Sequence, residues 1–253
     1  MYAPERQQTI VERARSNGRV DVTELATTLA VTTETIRRDL DVLERHGVLR
    51  RVHGGAIPVD KLTLDPGEHA RHAVMATEKE RIAKAALDHV PEEGAVLFDA
   101  GTTTARLAEL LPSEYRLTVV TNAVPLVSTL ANQPRTTVLL LGGKVHGQAM
   151  ATVDEWAVHE LANTHVGVAF LGADGISPAR GLTATDTRQA TVKRAMIRAA
   201  GTVVALADHS KIGNDQLARF GGLDQLDSII TDSGVDTGLA QRLAAAGPTV
   251  IRA

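Results

Sequence analysis

Apolar positions in the first 57 residues recur every three or four places, whereas from Glu78 onward they gather in short runs. The early spacing is helical. Ile10 and Ala14 share one face of a helix predicted over residues 5–16, and Asn17-Gly18 stops it. Asp21 and Glu24 have the spacing of a capping box, followed by Leu25, Ala26 and Leu29 of a second helix. Ala30-Val31-Thr32 makes a short turn. Thr32 or Thr33 can cap a third helix running to about His46, with Gly47 as its stop. In it Ile36, Leu40 and Leu43 should be buried. At about 100° per residue, Glu34, Arg37, Arg38, Asp41 and Arg45 then face away. Residues 48–52 read as a short strand and His53-Gly54-Gly55 as a turn.

The later pattern differs. Apolar runs at 95–99, 117–121, 137–141, 166–171, 203–207, 228–231 and 249–251 predict strands. Amphipathic stretches at 103–111, 124–130, 187–200 and 238–245 predict helices between them. Strand–helix alternation implies an α/β fold with an open, largely parallel sheet. Residues 58–77 lack periodicity and hold Pro58, Pro66 and Gly67, so they read as a linker. The expected organisation is a mostly α winged helix-turn-helix domain over 1–57, a linker over 58–77 and an α/β domain over 78–253.

Composition narrows the picture. Aromatic residues make up only 2% of the chain, so the core must rest on Leu, Val, Ile and Ala. The absence of cysteine excludes disulfides, zinc–cysteine sites and a thiol nucleophile, and suits a reducing cytoplasm. No apolar run reaches the roughly 18 residues that a membrane helix needs, and the N-terminus has no signal-peptide core. The expected location is cytoplasmic, with no membrane partner. His69 and His72 stand three apart without an acidic partner set, so neither a metal nor a cofactor is expected. Through Ile57 nine arginines face eight carboxylates; the remainder carries 18 basic against 22 acidic side chains. That contrast permits a local basic face but does not demand one.

Two short helices, a tight turn and a third helix with an arginine-bearing outer face make a helix-turn-helix. Its second helix enters the major groove, leading with its N-terminal residues. The guanidinium fork can take guanine O6 and N7 together or grip phosphate. Thr33 and Thr35 offer hydroxyls at the leading end, and the strand carrying Arg50 and Arg51 would form a wing. The stretch "GRVDVTELATTLAVTTETIRRDLDVLERHGVLRRVHGGA" resembles the N-terminal domain of the DeoR-type transcriptional repressors. That resemblance implies that Thr33, Thr35, Arg37 and Arg38 lie on the recognition helix, and Arg51 and His53 in the wing, against double-stranded operator DNA.

In "LFDAGTTTARLAELL" a strand ends at Asp99, Gly101 permits a turn, and Thr102, Thr103 and Thr104 begin a helix. A helix start offers unpaired N–H groups and a partial positive charge, and so can cradle phosphate. Thr121-Asn122, Gly142-Gly143, Gly172 with Asp174-Gly175, and Asp208 with Lys211 follow later strands in the same way. Loops at the carboxyl ends of parallel strands converge on one crevice. There Lys211 can neutralise a phosphate, and Asp99, Asp174 and Asp208 can accept from sugar hydroxyls. The motifs "FDAGTTT", "VVTN", "LLGG", "FLGADG", "GLTATD", "VKRAMI" and "ADHSKIG" resemble the effector domain of the same family, which is related to sugar-phosphate isomerases. The resemblance implies a phosphorylated sugar as inducer, with Thr102 and Thr103 near the phosphate and Asp174, Asp208 and Lys211 near the sugar. It leans toward repressors of fructose catabolism, with fructose 1-phosphate as effector. Thr183–Asp186 departs from the family pattern.

Lys193-Arg194 lies on a helix whose apolar side includes Val192, Met196 and Ile197, and reads as a solvated pair, with a supporting role at the site as the alternative. Trp156 reads as a core or subunit contact. Two functions compete. One is a ligand-responsive repressor, not an enzyme, working as a homo-oligomer (dimer or tetramer) because operators match oligomer symmetry. The other is a sugar-phosphate isomerase-like enzyme carrying a DNA-binding module, for which the carboxylates and lysine would serve.

Overall fold

The computed structural model describes residues 3–17, 19–45, 48–52, 54–58, 74–147 and 149–253. Two compact units divide the chain, Met1–Val74 and Met75–Ala253. Most of the expected linker, with His69 and His72, lies outside the described residues, as do His46, Gly47 and His53.

The first unit holds three helices, α1 (Ala3–Asn17), α2 (Val22–Thr28) and α3 (Thr33–Arg45). A small antiparallel sheet joins β1 (Val20–Asp21), β2 (Leu49–Val52) and β3 (Gly55–Pro58) in the order β1-β3-β2. Asp21 caps α2 as its spacing predicts, accepting from Thr23 N at 2.8 Å and Glu24 N at 3.3 Å. Thr32 rather than Thr33 caps α3, its Oγ1 accepting from Thr35 N at 3.1 Å. The Gly54-Gly55 pair has a steric cause. Gly54 sits at φ +77°, and a Cβ on Gly55 would lie 2.0 Å from the Val20 carbonyl oxygen. Ile10, Leu25, Ile36, Leu40 and Leu49 fill the core between the helices and this sheet.

The second unit is built on a parallel sheet. Its strands are β4 (Glu93–Phe98), β5 (Arg116–Thr121), β6 (Thr137–Leu140), β9 (Val166–Gly172), β12 (Ala200–Leu206), β14 (Ser228–Thr231) and β15 (Thr249–Arg252). Their order is β15-β14-β12-β9-β4-β5-β6, and every pairing is parallel. All seven correspond to the predicted apolar runs. In the inner strands the runs are continuous because alternate side chains enter two different cores. Leu97, Ala169, Leu171 and Ala205 point to one face, and Val96, Phe98, Phe170 and Val204 to the other. Phe98 and Phe170 stack at 5.3 Å between centroids on neighbouring strands.

Helices α4 (Ala76–Ala86), α5 (Thr102–Glu109) and α6 (Val124–Leu130) cover the second of these faces, through Ile82, Leu107 and Leu126. Helices α7 (Glu155–Ala162), α8 (Thr187–Ala199) and α9 (Thr237–Ala244) cover the first, through Leu161, Met196 and Leu243. Helix α4 begins at Ala76, two residues inside the expected linker.

In this unit five short strands escaped the sequence reading, as β1 and β3 did in the first. A hairpin pairs β7 (Lys144–His146) with β8 (Ala151–Val153). A second small sheet orders β10 (Gly175–Ser177), β11 (Gly181–Ala184) and β13 (Ala218–Gly221). Each has only three or four residues, too short to show a period.

Candidate nucleic-acid interface and effector crevice

In the first unit the apolar stripe of α3 is buried as its spacing requires, Ile36 and Leu40 fully and Leu43 almost so. Arg37 and Arg38 project outward, with side chains 55% and 79% exposed. Each stands near Glu34, at 3.7 and 3.6 Å, contacts loose enough to be exchanged for DNA phosphate or a base edge. Thr33 and Thr35 are half-buried at the leading end, and the Thr35 hydroxyl lies 2.9 Å from that of Thr32.

Arg51 is not a free wing cation. Its guanidinium bonds Asp41 and reaches the Arg37 carbonyl at 3.4 Å, while its own N–H donates to Glu44 at 2.7 Å. The wing is thereby tied to the outward helix. Sequence reasoning missed Asp39, which is buried and accepts from Arg6 Nε at 2.5 Å and Gln7 Nε2 at 2.9 Å. That pair fixes α3 to α1.

In the second unit the chain runs from β4 outward through β5 and β6, then returns to β9 on the other side of β4. Neighbouring strands whose connections depart in opposite directions define a switch point, where their carboxyl ends open a crevice. Asp99 stands there, 1% exposed. Its Oδ2 accepts from Gly172 N at 3.0 Å and from Lys193 Nζ. Lys193 also donates to the Gly172 carbonyl at 3.0 Å. Burial pushes the Asp99 carboxyl above the ordinary carboxylate range, against the pull of the Lys193 ammonium and the backbone donors.

The solvated-pair reading of Lys193-Arg194 thus holds for Arg194 and fails for Lys193, which is 4% exposed and ion-paired. Its position gave the signal. Lys193 is three and four residues from Met196 and Ile197, and so shares their face. Trp156 is 72% exposed and joins no core among the described residues, which removes the core alternative and leaves that of a subunit contact.

Beside this pair, α5 starts at Thr102 with no side chain capping its first turn. Gly101 has φ 178°, an extended angle open to any residue, so the expected backbone need for glycine is absent. Thr102, Thr103 and Thr104 are all buried. The Thr104 hydroxyl turns inward to the Asp99 and Gly101 carbonyls at 2.7 and 2.8 Å. The N–H groups of this turn remain available to an anion.

The neighbouring loops brace the crevice. Asn122 Oδ1 accepts from Ala100 N at 2.9 Å, and its Nδ2 donates to the Thr152 carbonyl at 3.2 Å. The Thr121 hydroxyl donates to the Phe98 carbonyl at 2.7 Å. Gly142 N donates to Glu160 at 2.7 Å. Gly143, at φ +132°, passes so close to β8 that a Cβ would lie 2.6 Å from the Val153 carbonyl. Asp174 accepts from Thr185 N at 2.9 Å and Thr185 Oγ1 at 3.1 Å, joining the end of β9 to the end of β11. Gly175 lies in β10, where its carbonyl takes the Thr183 hydroxyl at 3.1 Å.

Asp208 is buried and caps the turn that carries Lys211, accepting from Ser210 N at 3.1 Å. Lys211 is half-buried. Further along the same edge, Asp232 receives His209 N at 2.7 Å and faces His209 Nδ1 at 2.7 Å. Burial works against its ionisation, but the donors from His209 and Gly234 outweigh it and hold the carboxyl below its usual range.

Two more groups went unnoticed in the sequence. Asp186 caps α8, accepting from Arg188 N at 2.8 Å and Gln189 N at 3.2 Å. The Arg188 guanidinium, helped by these donors, draws its carboxyl down to about 2. His146, from the β7–β8 hairpin, sets Nε2 3.6 Å from Asp186, while its buried Nδ1 has no partner. A hairpin of three-residue strands leaves no trace in sequence that would bring His146 to Asp186.

A helix-turn-helix with a hairpin wing, joined to an α/β unit whose switch point presents an uncapped helix start, defines a ligand-sensing DNA-binding regulator. The sequence matches the DeoR-like helix-turn-helix domain over residues 6–61 and the DeoR C terminal sensor domain over 74–233. The chain belongs to the DeoR family of transcriptional regulators. It is 33% identical to the HTH-type transcriptional regulator YulB of Bacillus subtilis, covering 93% of this chain and 91% of that one. It is 32% identical to the HTH-type transcriptional repressor GlcR of the same species, over 92% and 89%. Among solved structures it resembles ribose 5-phosphate isomerase A of Methanocaldococcus jannaschii over 55% of each chain, at 19% identity and a TM-score of 0.41. Among the described residues no helix is long and apolar enough to cross a membrane, and no cluster of three metal-ligating side chains occurs.

Proposed function

We propose that the chain represses a carbohydrate operon and that a phosphorylated sugar in the switch-point crevice releases it from its operator. Thr33, Thr35, Arg37 and Arg38 meet the DNA, with Arg51 bracing the wing against the reading helix. The uncapped start of α5 takes the phosphate, through the N–H groups around Thr102 and Thr103. Asp174, Asp208 and Lys211 surround the sugar, while Asp99 and Lys193 hold the crevice floor. The single observation that carries this reading is that uncapped helix start, set beside a buried ion pair at the switch point. The name of GlcR as a repressor supports the direction of regulation.

The protein works in the cytoplasm as a symmetric dimer or tetramer, because paired half-sites need paired readers. Fructose 1-phosphate is the first ligand to test. A ligand shifts the equilibrium only by its differential affinity for the DNA-competent and released states. In a gel-shift titration, Arg37→Ala with Arg38→Ala should weaken specific DNA binding by about 30-fold or more, at roughly 1–3 kcal/mol per base-reading arginine. The variant should keep its affinity for sugar phosphate. Undiminished operator affinity would sink the assignment. Steady turnover of pentose or hexose phosphates by the full chain would instead favour an enzyme.

A further inference from the structure

A second cleft, of about 370 Å³, opens between α8 and β13. Arg194 and Arg198 line it from one face of that helix, and Arg219 and Phe220 from β13. Gly222 and Gln225 close its end. Three guanidiniums therefore converge on one concavity in a chain of net charge −3. Among the described residues none of the three has a carboxylate within ion-pair distance. Like charges at i and i+4 oppose helix formation, as Arg194 and Arg198 do.

The groups are nonetheless held in place. Arg194 Nη2 donates to the Arg219 carbonyl at 2.8 Å, and Arg219 Nε to the Arg180 carbonyl at 2.9 Å. These bonds orient two of the forks without neutralising them, and leave further N–H donors on each for a ligand. The Asp224 carboxylate stands beside Arg219 Nη2 near Gly222, beyond ion-pair distance, and offsets part of this charge. Guanidiniums oriented around a concave wall still suit a compact anion with several oxygens better than a flat surface would.

We propose that this cleft is a second anion site, which takes a small phosphorylated metabolite or pyrophosphate carrying at least two negative charges. It is separate from the switch-point crevice but shares α8 with it. Phe220 lines the cleft, and the Lys193 ammonium lies 5.6 Å from the centre of its ring.

The test is calorimetric titration of the full chain with pyrophosphate at low ionic strength. Wild type should bind, and the affinity should fall as salt is added. Arg198→Gln with Arg219→Gln should weaken binding at least tenfold. Arg198→Gln alone, which removes no hydrogen bond to the protein, should weaken it severalfold and guards against a folding defect in the double variant. Thr102→Val with Thr103→Val should leave this binding intact, while weakening that of a sugar phosphate in the crevice. Wild-type affinity in both arginine variants would overturn the proposal. So would loss of pyrophosphate binding in the threonine variant, which would place the anion in the crevice. Arginine variants that weaken only DNA binding, with no pyrophosphate bound by wild type, would assign the cleft to nucleic acid and overturn it too.

Discussion

Helices α5 and α8 follow different strands of the small and large sheets, and they begin in opposite ways. Helix α8 starts under Asp186, whose carboxylate takes the first free N–H groups and ion-pairs with Arg188. Helix α5 starts under Gly101, with no side chain capping the N–H groups of its first turn. Asp21, Asp154 and Asp236 cap α2, α7 and α9 in the manner of Asp186. Aspartate thus closes four helix starts and Thr32 a fifth, whereas α4 and α6 begin, like α5, without a side-chain cap. At the threonine run the chain withholds that cap, which forgoes some stability. On the proposed function, what is lost to folding there is kept for a ligand.

The sharpest way to break this contrast is at the pair beneath it. Lys193→Ala leaves the buried Asp99 without its cation, and should cost about 3–5 kcal/mol of unfolding free energy in denaturant titration. A loss under 1 kcal/mol would mean that the pair does not hold the crevice floor. Next in size, Gly101→Asp should supply α5 with the cap it lacks. A Cβ there meets only the Thr104 hydroxyl, at 3.2 Å. Stability should hold or rise, while affinity for sugar phosphates falls at least tenfold by calorimetry, because a fixed carboxylate occupies the anion's place. Unchanged affinity would place the phosphate elsewhere.

The smallest effect is at α8. Asp186→Ala should cost about 1 kcal/mol in thermal melts near neutral pH, the usual worth of an N-cap. Its pH dependence has a definite sign. The native carboxyl titrates at about 2, whereas an unfolded aspartate titrates near 3.9. The unfolded chain therefore binds the proton first, and the stabilisation is present above about pH 4. The gap between wild type and variant should close as pH falls from 4 toward 2. A gap constant over that range would refute the depressed carboxyl.

The inner strands of the large sheet were legible in the sequence because two buried faces write them as apolar runs, whereas the edge strand β6 reads as apolar although Leu139 and Leu140 are exposed. The Ser228–Thr231 and Val124–Leu130 boundaries agree to the residue. The helix-turn-helix was legible for the complementary reason, a one-sided stripe with charges opposite. What escaped was the charged residue inside a stripe. Lys193 among Val192, Met196 and Ile197, and Asp39 between Ile36 and Leu43, each stand at i±3 or i±4 from buried neighbours. Their charge suggested solvent; their spacing meant burial with a partner. That partner lies 94 residues away for Lys193 and 33 for Asp39, beyond the reach of any local pattern. The same distance hid the approach of His146 to Asp186.

Arg51 carries one last consequence. Because it staples the hairpin to the outward helix, the two prongs that would straddle the double helix are pre-set before they meet it. A rigid caliper pays little ordering entropy on closing, but it cannot stretch to fit. Discrimination then falls partly on the duplex itself: sequences whose groove width already matches the gap, or that bend cheaply to match it, are favoured even at base pairs no side chain touches.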